Sequence, residues 1–226
     1  APFDTHDPES VDSYELGTKI AFEGRMPATL NASVFYNDLT DQQLQLGYRN
    51  KNGTGTTSVV NAGSSTIWGA ELEGNILLTD NLSFMASYAY LDTEVESLNF
   101  PDISSVASSD PTPSTAEGEP LPLTPENKLV ATLSYNIPID EALGDMTAAV
   151  TYVYTDEMQS TSPSVTTSPY AILPDYELIN LNMNWNRVAS SPVDLALFVT
   201  NVADEEYITY ITGNWTTGLE LGQVGL

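Results

Sequence analysis

Cysteine is absent from the 226 residues of this chain. A disulfide framework and a thiolate metal site are therefore both excluded. Basic residues are scarce, because six Lys and Arg stand against 31 Asp and Glu, and the formal net charge is -25 at pH 7. Since phosphate binding needs a cationic face, this balance excludes a nucleic-acid partner and disfavours other anionic partners.

Long apolar runs are also missing. No stretch approaches the roughly 18 apolar residues that a transmembrane helix requires, and residues 1–4 lack the basic and apolar regions of a signal peptide. The single histidine, His6, lies in a polar segment, so a histidine-based metal site or catalytic triad has no support. If such a chain enters a membrane, we expect it to do so as a β-barrel, delivered by a signal outside these residues.

Alternation of apolar and polar residues with a period of two runs through the whole chain, and helical patterns are almost absent. Between residues 65 and 94, two such segments flank the polar turn 79–81, with Leu72 on one face and Glu71 and Glu73 on the other. The predicted strand segments are 14–23, 28–36, 68–78, 82–92, 128–136, 147–154, 179–186 and 193–200. Taken in order, they form four hairpins.

The connections between these segments alternate in length. The short ones are 24–27, 79–81, 137–145 and 188–192, and the long ones are 40–64, 97–122, 156–171 and the segment after 202. Outer-membrane barrels have short periplasmic turns and long extracellular loops, and strands of about 9–11 residues suffice to cross the bilayer. The sequence therefore predicts an all-β, antiparallel transmembrane β-barrel whose 40–64 and 97–122 segments are polar surface loops, 40–64 with strand extensions at its ends.

The positions of the aromatic residues support the same orientation, with short turns at one end of the strands and long loops at the other. One group lies beside the long connections: Tyr36, Tyr88, Tyr90, Tyr152 and Tyr154. A second lies toward the short turns: Phe22, Phe84, Tyr135 and Trp185. Two such groups are typical of the girdles at the two membrane interfaces. The alternative, a β-sandwich core, is disfavoured because the polar faces are continuous and charged.

Two stretches resemble the C-terminal barrel of TonB-dependent outer-membrane receptors. The first is Val-Asn-Ala-Gly at 60–63, followed by Trp-Gly-Ala-Glu-Leu-Glu-Gly at 68–74 and the strand 82–92. The second is Leu-Phe-Val-Thr-Asn-Val-Ala-Asp-Glu-Glu-Tyr at 197–207. The resemblance extends over nearly the whole chain, and the stretches are specific in combination although each alone is weak.

The resemblance implies a 22-stranded barrel in the outer membrane of a Gram-negative bacterium, of which residues 1–226 supply a C-terminal part of about 8–10 strands. It also implies an N-terminal plug domain, a segment that contacts TonB, and energy-coupled import of a small nutrient, often a ferric siderophore. Family members end in a strand with a terminal aromatic residue, whereas residues 222–226 are typical of a last extracellular loop. We therefore expect the plug and the closing strand to lie outside this chain.

Candidate site residues are few. The terminal aromatic residues Tyr207, Tyr210 and Trp215 are weak candidates for stacking on a ligand, and they equally suit interface anchors. The acidic groups at 204–206 and 117–119 lack the spacing of a calcium loop and are interpreted as solvated charge. No catalytic residue, metal site or cofactor is predicted.

Two polar sets lie on predicted strands. Glu71 and Glu73 share a strand face but have no cleft of the kind that glycosidase acids need, so we interpret them as lumen-facing residues. The alternating asparagines at 180–186 suit a hydrated wall or a plug contact better than a sugar-binding strip.

The acidity favours cationic ligands within a Debye length of ~8–10 Å, and Arg49 and Lys51 are the only basic pair in a predicted loop. A saline habitat, or outer-membrane lipid and lipopolysaccharide bridged by divalent ions, explains the acidity equally well. The favoured function is a transport receptor; a passive porin-like or structural barrel, and a secreted β-sandwich or adhesin, are the alternatives. An enzyme is the least supported class.

Overall fold

Thirteen β-strands and two short 3-10 turns make up the described part of the chain. The structure is a computed structural model that describes residues 6–109, 115–160 and 172–209 in full, and the backbone of 112–113, 210–214 and 219–225. The strands are β1 (Ser10–Phe22), β2 (Ala28–Arg49), β3 (Gly55–Leu77), β4 (Leu82–Leu98), β5 (Thr112–Pro113), β6 (Asn127–Ile137), β7 (Asp145–Thr155), β8 (Met158–Gln159), β9 (Ile172–Leu173), β10 (Tyr176–Asn186), β11 (Leu195–Val199), β12 (Tyr207–Asn214) and β13 (Leu219–Gly225).

Most strands pair with their neighbours in sequence. Eight of them form one antiparallel sheet in the order β1-β2-β3-β4-β6-β7-β10-β11, and β5 adds to β2. Two separate hairpins pair β8 with β9 and β12 with β13. The 3-10 turns, Glu141–Leu143 and Val188–Ser190, lie in two of the short connections. No helix among the described residues is long and apolar enough to cross a bilayer. The predicted all-β antiparallel fold is confirmed.

The strand register keeps apolar residues on one face of the sheet. Leu72 lies opposite Ala32 on one side and Tyr88 on the other, while Glu71 and Glu73 point to the opposite face, as predicted. On the face that carries Leu72, residues paired across neighbouring strands form rows. Three of these rows are Leu16/Val34/Ala70/Tyr90, Thr18/Ala32/Leu72/Tyr88/Leu129/Tyr154 and Leu133/Val150/Leu181/Val199. We call the two sides the apolar face and the polar face. Because side chains alternate, a slip of one residue in any pair would exchange them.

The predicted aromatic groups lie at opposite ends of the apolar face. At the long-loop end, Tyr14 pairs with Tyr36 and Tyr36 with Trp68, whose ring centroid is 5.2 Å from that of Tyr90. At the short-turn end, Phe22, Phe84, Tyr135 and Trp185 lie beside the turns. The predicted arrangement of two aromatic groups is confirmed.

Residues 40–64 mostly extend two strands of the sheet. The prediction of a long polar loop in this segment is wrong, except at its tip. β2 has 22 residues and β3 has 23, and only residues 50–54 turn between them. Asp41 has a positive φ of 55°, and the register shifts between Leu39 and Gln42. Such a bulge interrupts the two-residue period, which is why the alternation disappears from the sequence. The predicted strand extensions are confirmed.

The Asn-Ala-Gly stretch supports this bulge. Asn61 Nδ2 donates to the carbonyl oxygens of Asp41 at 2.7 Å and Asp7 at 2.9 Å, and its Oδ1 accepts from the Asp7 amide at 2.8 Å. A Cβ on Gly63 would lie 2.8 Å from Leu44 Cδ1. The asparagine therefore ties three chain segments together, and the glycine leaves room for a buried leucine.

The hydrophobic core of the described residues lies beyond the upper aromatic row, by which we mean the aromatic residues at the long-loop end of the sheet. Leu46, Val60, Ala62 and Ile103 are at most 5% exposed and form one cluster. Residues 97–122 were expected to bury little, and that expectation is wrong, because Ile103 from this segment completes the core. The segment has few apolar residues and no period, so its burial is not visible in the sequence.

Gly69 provides a test of packing within the sheet. An added Cβ would lie 2.8 Å from Phe35 Cζ and far inside contact distance of the Tyr90 carbonyl oxygen. We expect Gly69→Ala to destabilise the fold by about 1–3 kcal/mol, because the neighbouring backbone cannot yield. The measurement is the Tm of the purified protein.

Gly74 is the matched control on the same strand. Its added Cβ would meet Leu30 Cδ1 at 3.7 Å and the Thr29 carbonyl oxygen at 3.8 Å, which are ordinary contacts. Gly74→Ala should leave Tm unchanged or slightly raised. Equal losses of Tm in both variants would contradict the packing role of Gly69.

Candidate functional site

A folded layer covers the long-loop end of the sheet, and we call it the loop layer. It consists of the upper halves of β2 and β3 with residues 99–109, 115–126, 156–160 and 172–175. Residues 115–126 run along β4, where the Val95 amide donates to Glu119 O at 2.9 Å and the Gly118 amide donates to Val95 O at 2.8 Å. The Leu123 amide donates to Gln159 O at 2.7 Å. The loops are thus hydrogen-bonded to the sheet and to each other.

The loop layer covers the upper end of the polar face. Ser65 and Val95 lie opposite each other on that face and are fully buried. Thr155, which the register also places on the polar face, is 2% exposed. Ser65 Oγ donates to Gln42 Oε1 at 2.6 Å, so the covered surface continues from the sheet into the β2–β3 extension.

Tyr207 stacks on Tyr176 at this end. Their ring centroids are 4.4 Å apart with an interplanar angle of 21°, and Tyr176 lies opposite Thr155 on the polar face. A ligand can therefore stack on Tyr207 only from the side turned away from Tyr176. The sequence did not indicate this pairing, because the two tyrosines are far apart along the chain.

The other two aromatic candidates are described less fully. The Tyr210 backbone pairs with Gln223 in the β12–β13 hairpin, just after a register shift that begins at Ile208. Its side chain and the whole of Trp215 lie outside the described residues.

An asparagine organises the turn that leads to Tyr207. Asn201 adopts a positive φ of 51°, its Nδ2 donates to Glu205 O at 2.9 Å, and its Oδ1 accepts from the Glu205 amide at 2.9 Å. The Asn201 amide donates to Asn180 Oδ1 at 2.9 Å. One member of the alternating asparagines therefore caps this turn. Residues 204–206, the predicted solvated acids, are exposed on it.

Below the loop layer, the polar face changes character across the sheet. Glu71 and Glu73 make the β3 part acidic. On β6 and β7 the wall is hydroxylic, with Thr132 Oγ1 and Thr151 Oγ1 2.9 Å apart, and the asparagines at 180–186 continue it on β10. This wall offers hydrogen bonds to water or to another polypeptide.

All six basic residues of the chain lie in the described part. Lys19 and Lys128 are on the polar face, Arg25 and Arg187 are at short turns, and Arg49 and Lys51 are at the tip of the β2–β3 extension. Arg187 forms an ion pair with Asp145 at 2.6 Å. The apolar face therefore carries no basic side chain, and the loop layer carries two.

A hydrogen-bond network joins three strands at the long-loop end. Tyr88 Oη donates to Asn127 Oδ1 at 2.6 Å, Asn127 Nδ2 donates to Asp156 Oδ2 at 2.6 Å, and Tyr154 Oη donates to Asp156 Oδ1 at 3.1 Å. The bond from Asn127, followed by that from Tyr154, holds the pKa of Asp156 below its ordinary value of 3.8.

Comparison with known proteins identifies the family. The family model described as TonB dependent receptor-like, beta-barrel matches residues 6–202. The chain belongs to the TonB-dependent receptors. Proteins of this family are outer-membrane β-barrels of Gram-negative bacteria and act as receptors and transporters rather than as enzymes.

Individual relatives agree with this assignment. The probable TonB-dependent siderophore receptor PiuA of Acinetobacter baumannii is 27% identical over 90% of this receptor chain and 24% of its own length. The solved structure of PiuA from that species superposes with a TM-score of 0.66 at 21% identity, covering 95% of this chain and 26% of PiuA.

Two further structures share the fold. The ferric yersiniabactin uptake receptor FyuA of Yersinia pestis gives a TM-score of 0.68 at 18% identity, with 96% of this chain and 28% of FyuA covered. The copper transporter OprC gives 0.61 at 20% identity, with 91% and 27% covered. The chain thus spans about a quarter of the length of the receptors that it matches.

The Asp156 network gives a pH-dependent prediction. A carboxyl whose folded pKa is lowered contributes stability above its unfolded pKa, and this contribution is lost as pH falls through the folded pKa. Asn127→Ala should therefore lower the Tm of the receptor at neutral pH, and the deficit should shrink as pH falls below 3.8.

Tyr88→Phe is the control for this experiment. It removes the other hydrogen bond of Asn127 without touching a carboxylate, so its smaller Tm deficit should not vary over the same pH range. A constant deficit for Asn127→Ala as well would show that Asp156 does not mediate the effect.

Proposed function

We propose that the receptor containing this chain imports a ferric siderophore or another small nutrient across the outer membrane, with energy that TonB passes from the inner membrane. Membership of the family supports this proposal. So do the names of the siderophore receptor PiuA and of the ferric yersiniabactin uptake receptor FyuA. OprC is named a copper transporter, which supports the wider wording of small nutrient.

The loop layer is the structural observation that carries the proposal. A passive pore needs an open mouth, whereas here the loops are hydrogen-bonded over the upper end of the polar face, with Val95 and Leu173 fully buried. Such a layer suits capture of a ligand before passage through the barrel. Below the loop layer, the polar face supplies hydroxyl, amide and carboxylate groups.

In this proposal, residues 1–226 form a C-terminal part of the outer-membrane barrel. The apolar face contacts lipid and lipopolysaccharide, and the polar face contacts water and a plug domain supplied by the rest of the receptor. TonB contacts a segment outside this chain. Tyr207, Tyr210 and Trp215 contact the ligand at the extracellular mouth.

Energy-coupled import is testable in cells. A strain lacking the receptor gene and complemented with the full gene should accumulate iron from a matching ferric siderophore, and loss of TonB should abolish the gain. A siderophore panel, with copper as a further arm, identifies the cargo. Uptake that persists without TonB, together with steady conductance in planar bilayers, would favour a passive barrel instead.

Tyr207 gives a sharper test of the ligand site. Because its ring stacks on Tyr176, Tyr207→Phe should preserve the stack and ligand affinity. Tyr207→Ala should weaken binding by about five- to thirtyfold, as expected for loss of an aromatic contact of roughly 1–2 kcal/mol. The measurement is equilibrium binding of the imported chelate to the purified receptor. Unchanged affinity in Tyr207→Ala would remove Tyr207 from the site.

A further inference from the structure

The β2–β3 extension is a ribbon of two strands beyond the eight-stranded sheet. β1 ends its pairing with β2 opposite Thr40, and β4 ends its pairing with β3 opposite Gly63, whereas β2 and β3 stay paired up to Arg49 and Gly55. A hairpin of two strands is marginally stable in water unless a third strand or a packed face supports it. The extension therefore needs support from another segment.

Residues 99–109, which we call the strap, contact both edges of the β2–β3 extension. At the β3 edge, the Asn99 amide donates to Ala62 O at 2.6 Å. At the β2 edge, the Ser108 amide donates to Arg49 O at 2.8 Å. β5, which follows the strap, pairs with the same edge of β2. The strap thus begins at one edge of the extension and ends at the other.

Between these two points, the strap crosses the side of the β2–β3 extension that continues the polar face. A Cβ on Gly63 would point at Leu44 Cδ1, and Gly63 lies two residues from Ser65, which is on the polar face. Leu46, two residues after Leu44, is fully buried in the cluster that contains Ile103, itself 5% exposed. The strap therefore covers this side of the extension with an apolar core.

We propose that the strap and the β2–β3 extension form one rigid unit, which positions the extension as a wall of the ligand-binding mouth, with Ile103 as the positioning residue. In this role Ile103 does not touch the ligand, and it acts through the extension that it holds. Without its side chain, the contacts at the two edges have no core between them, so the strap and the extension loosen together. The ligand part of the inference rests on the proposed function.

Hydrogen exchange of the full receptor tests the rigid unit without any ligand. Ile103→Ala should speed amide exchange in both the strap and residues 44–62 by about thirtyfold or more, because the substitution removes packing that both share. Ile103→Val, which removes one methylene group, should speed it by no more than about tenfold. β7, which lies elsewhere in the sheet, is the internal reference. Faster exchange confined to the strap would overturn the proposal.

The strap can also be fastened covalently to the β2–β3 extension. Asn50 and Ala107 form an antiparallel bridge. The Lys51 amide donates to Val106 O on one side of this bridge, and the strap donates to Arg49 O on the other, so residues 50 and 107 are a non-hydrogen-bonded pair. The Cα atoms of such a pair are about 4.5 Å apart, within the roughly 4.4–6.8 Å that a disulfide spans. This chain contains no cysteine that would compete.

The disulfide separates positioning from general stability. The receptor with Asn50→Cys, Ala107→Cys and Ile103→Ala is compared in its reduced and oxidised forms, which share the loss of the Asn50 side-chain hydrogen bonds. The reduced form should bind the imported chelate about three- to tenfold more weakly than the oxidised form, because only the ordered fraction binds. Equal affinity in the two forms would overturn the positioning role of Ile103.

The same cysteine pair with Ile103 retained tests rigidity during import. Its oxidised form should take up the chelate at the rate of its reduced form, because the strap and the extension stay together. Loss of uptake on oxidation would show that the strap must detach, and would overturn the rigid unit. A wild-type receptor that binds no chelate counts against the proposed function instead, and hydrogen exchange then decides the rigid unit alone.

Discussion

The register of antiparallel pairing is the constraint on which the rest of this structure depends. Across the eight-stranded sheet, paired residues on neighbouring strands lie on the same face, so Leu72 lies between Ala32 and Tyr88 while Glu71 stays on the other side. A sheet with one apolar face and one polar face has no interior to correct an error. A slip in a single pair would place carboxylates on the apolar face, where an unpaired charge is costly if that face is removed from water.

Because of this constraint, the hydrophobic core lies outside the part of the sheet between the two aromatic groups. Between the two aromatic rows, the sheet is one layer thick and its apolar side chains face outward. Burial occurs instead where β2 and β3 continue beyond the upper row and meet Ile103. The bulge at Asp41, whose carbonyl oxygen accepts a hydrogen bond from Asn61, lies at the start of these extensions. The loop layer consequently has a packed base.

Electrostatics divide the molecule in the same way. Basic side chains occur at the polar face, the short turns and the tip of the β2–β3 extension, whereas the upper rim of the apolar face has carboxylates, amides and hydroxyls beside its aromatic rings. At that rim, Asn127 donates a hydrogen bond to Asp156 and so stabilises its carboxylate. The rim thereby joins the strand ends through hydrogen bonds rather than ion pairs.

The sequence by itself determined the fold class, the two faces and the positions of Glu71 and Glu73, because all of these follow from a local period of two. It also carried the family resemblance. Only the tertiary structure decided how far the two strands extend into residues 40–64, that Ile103 is buried and that Tyr207 stacks on Tyr176. These features depend on contacts between segments distant in sequence and on the positive φ of Asp41, and neither leaves a periodic signal.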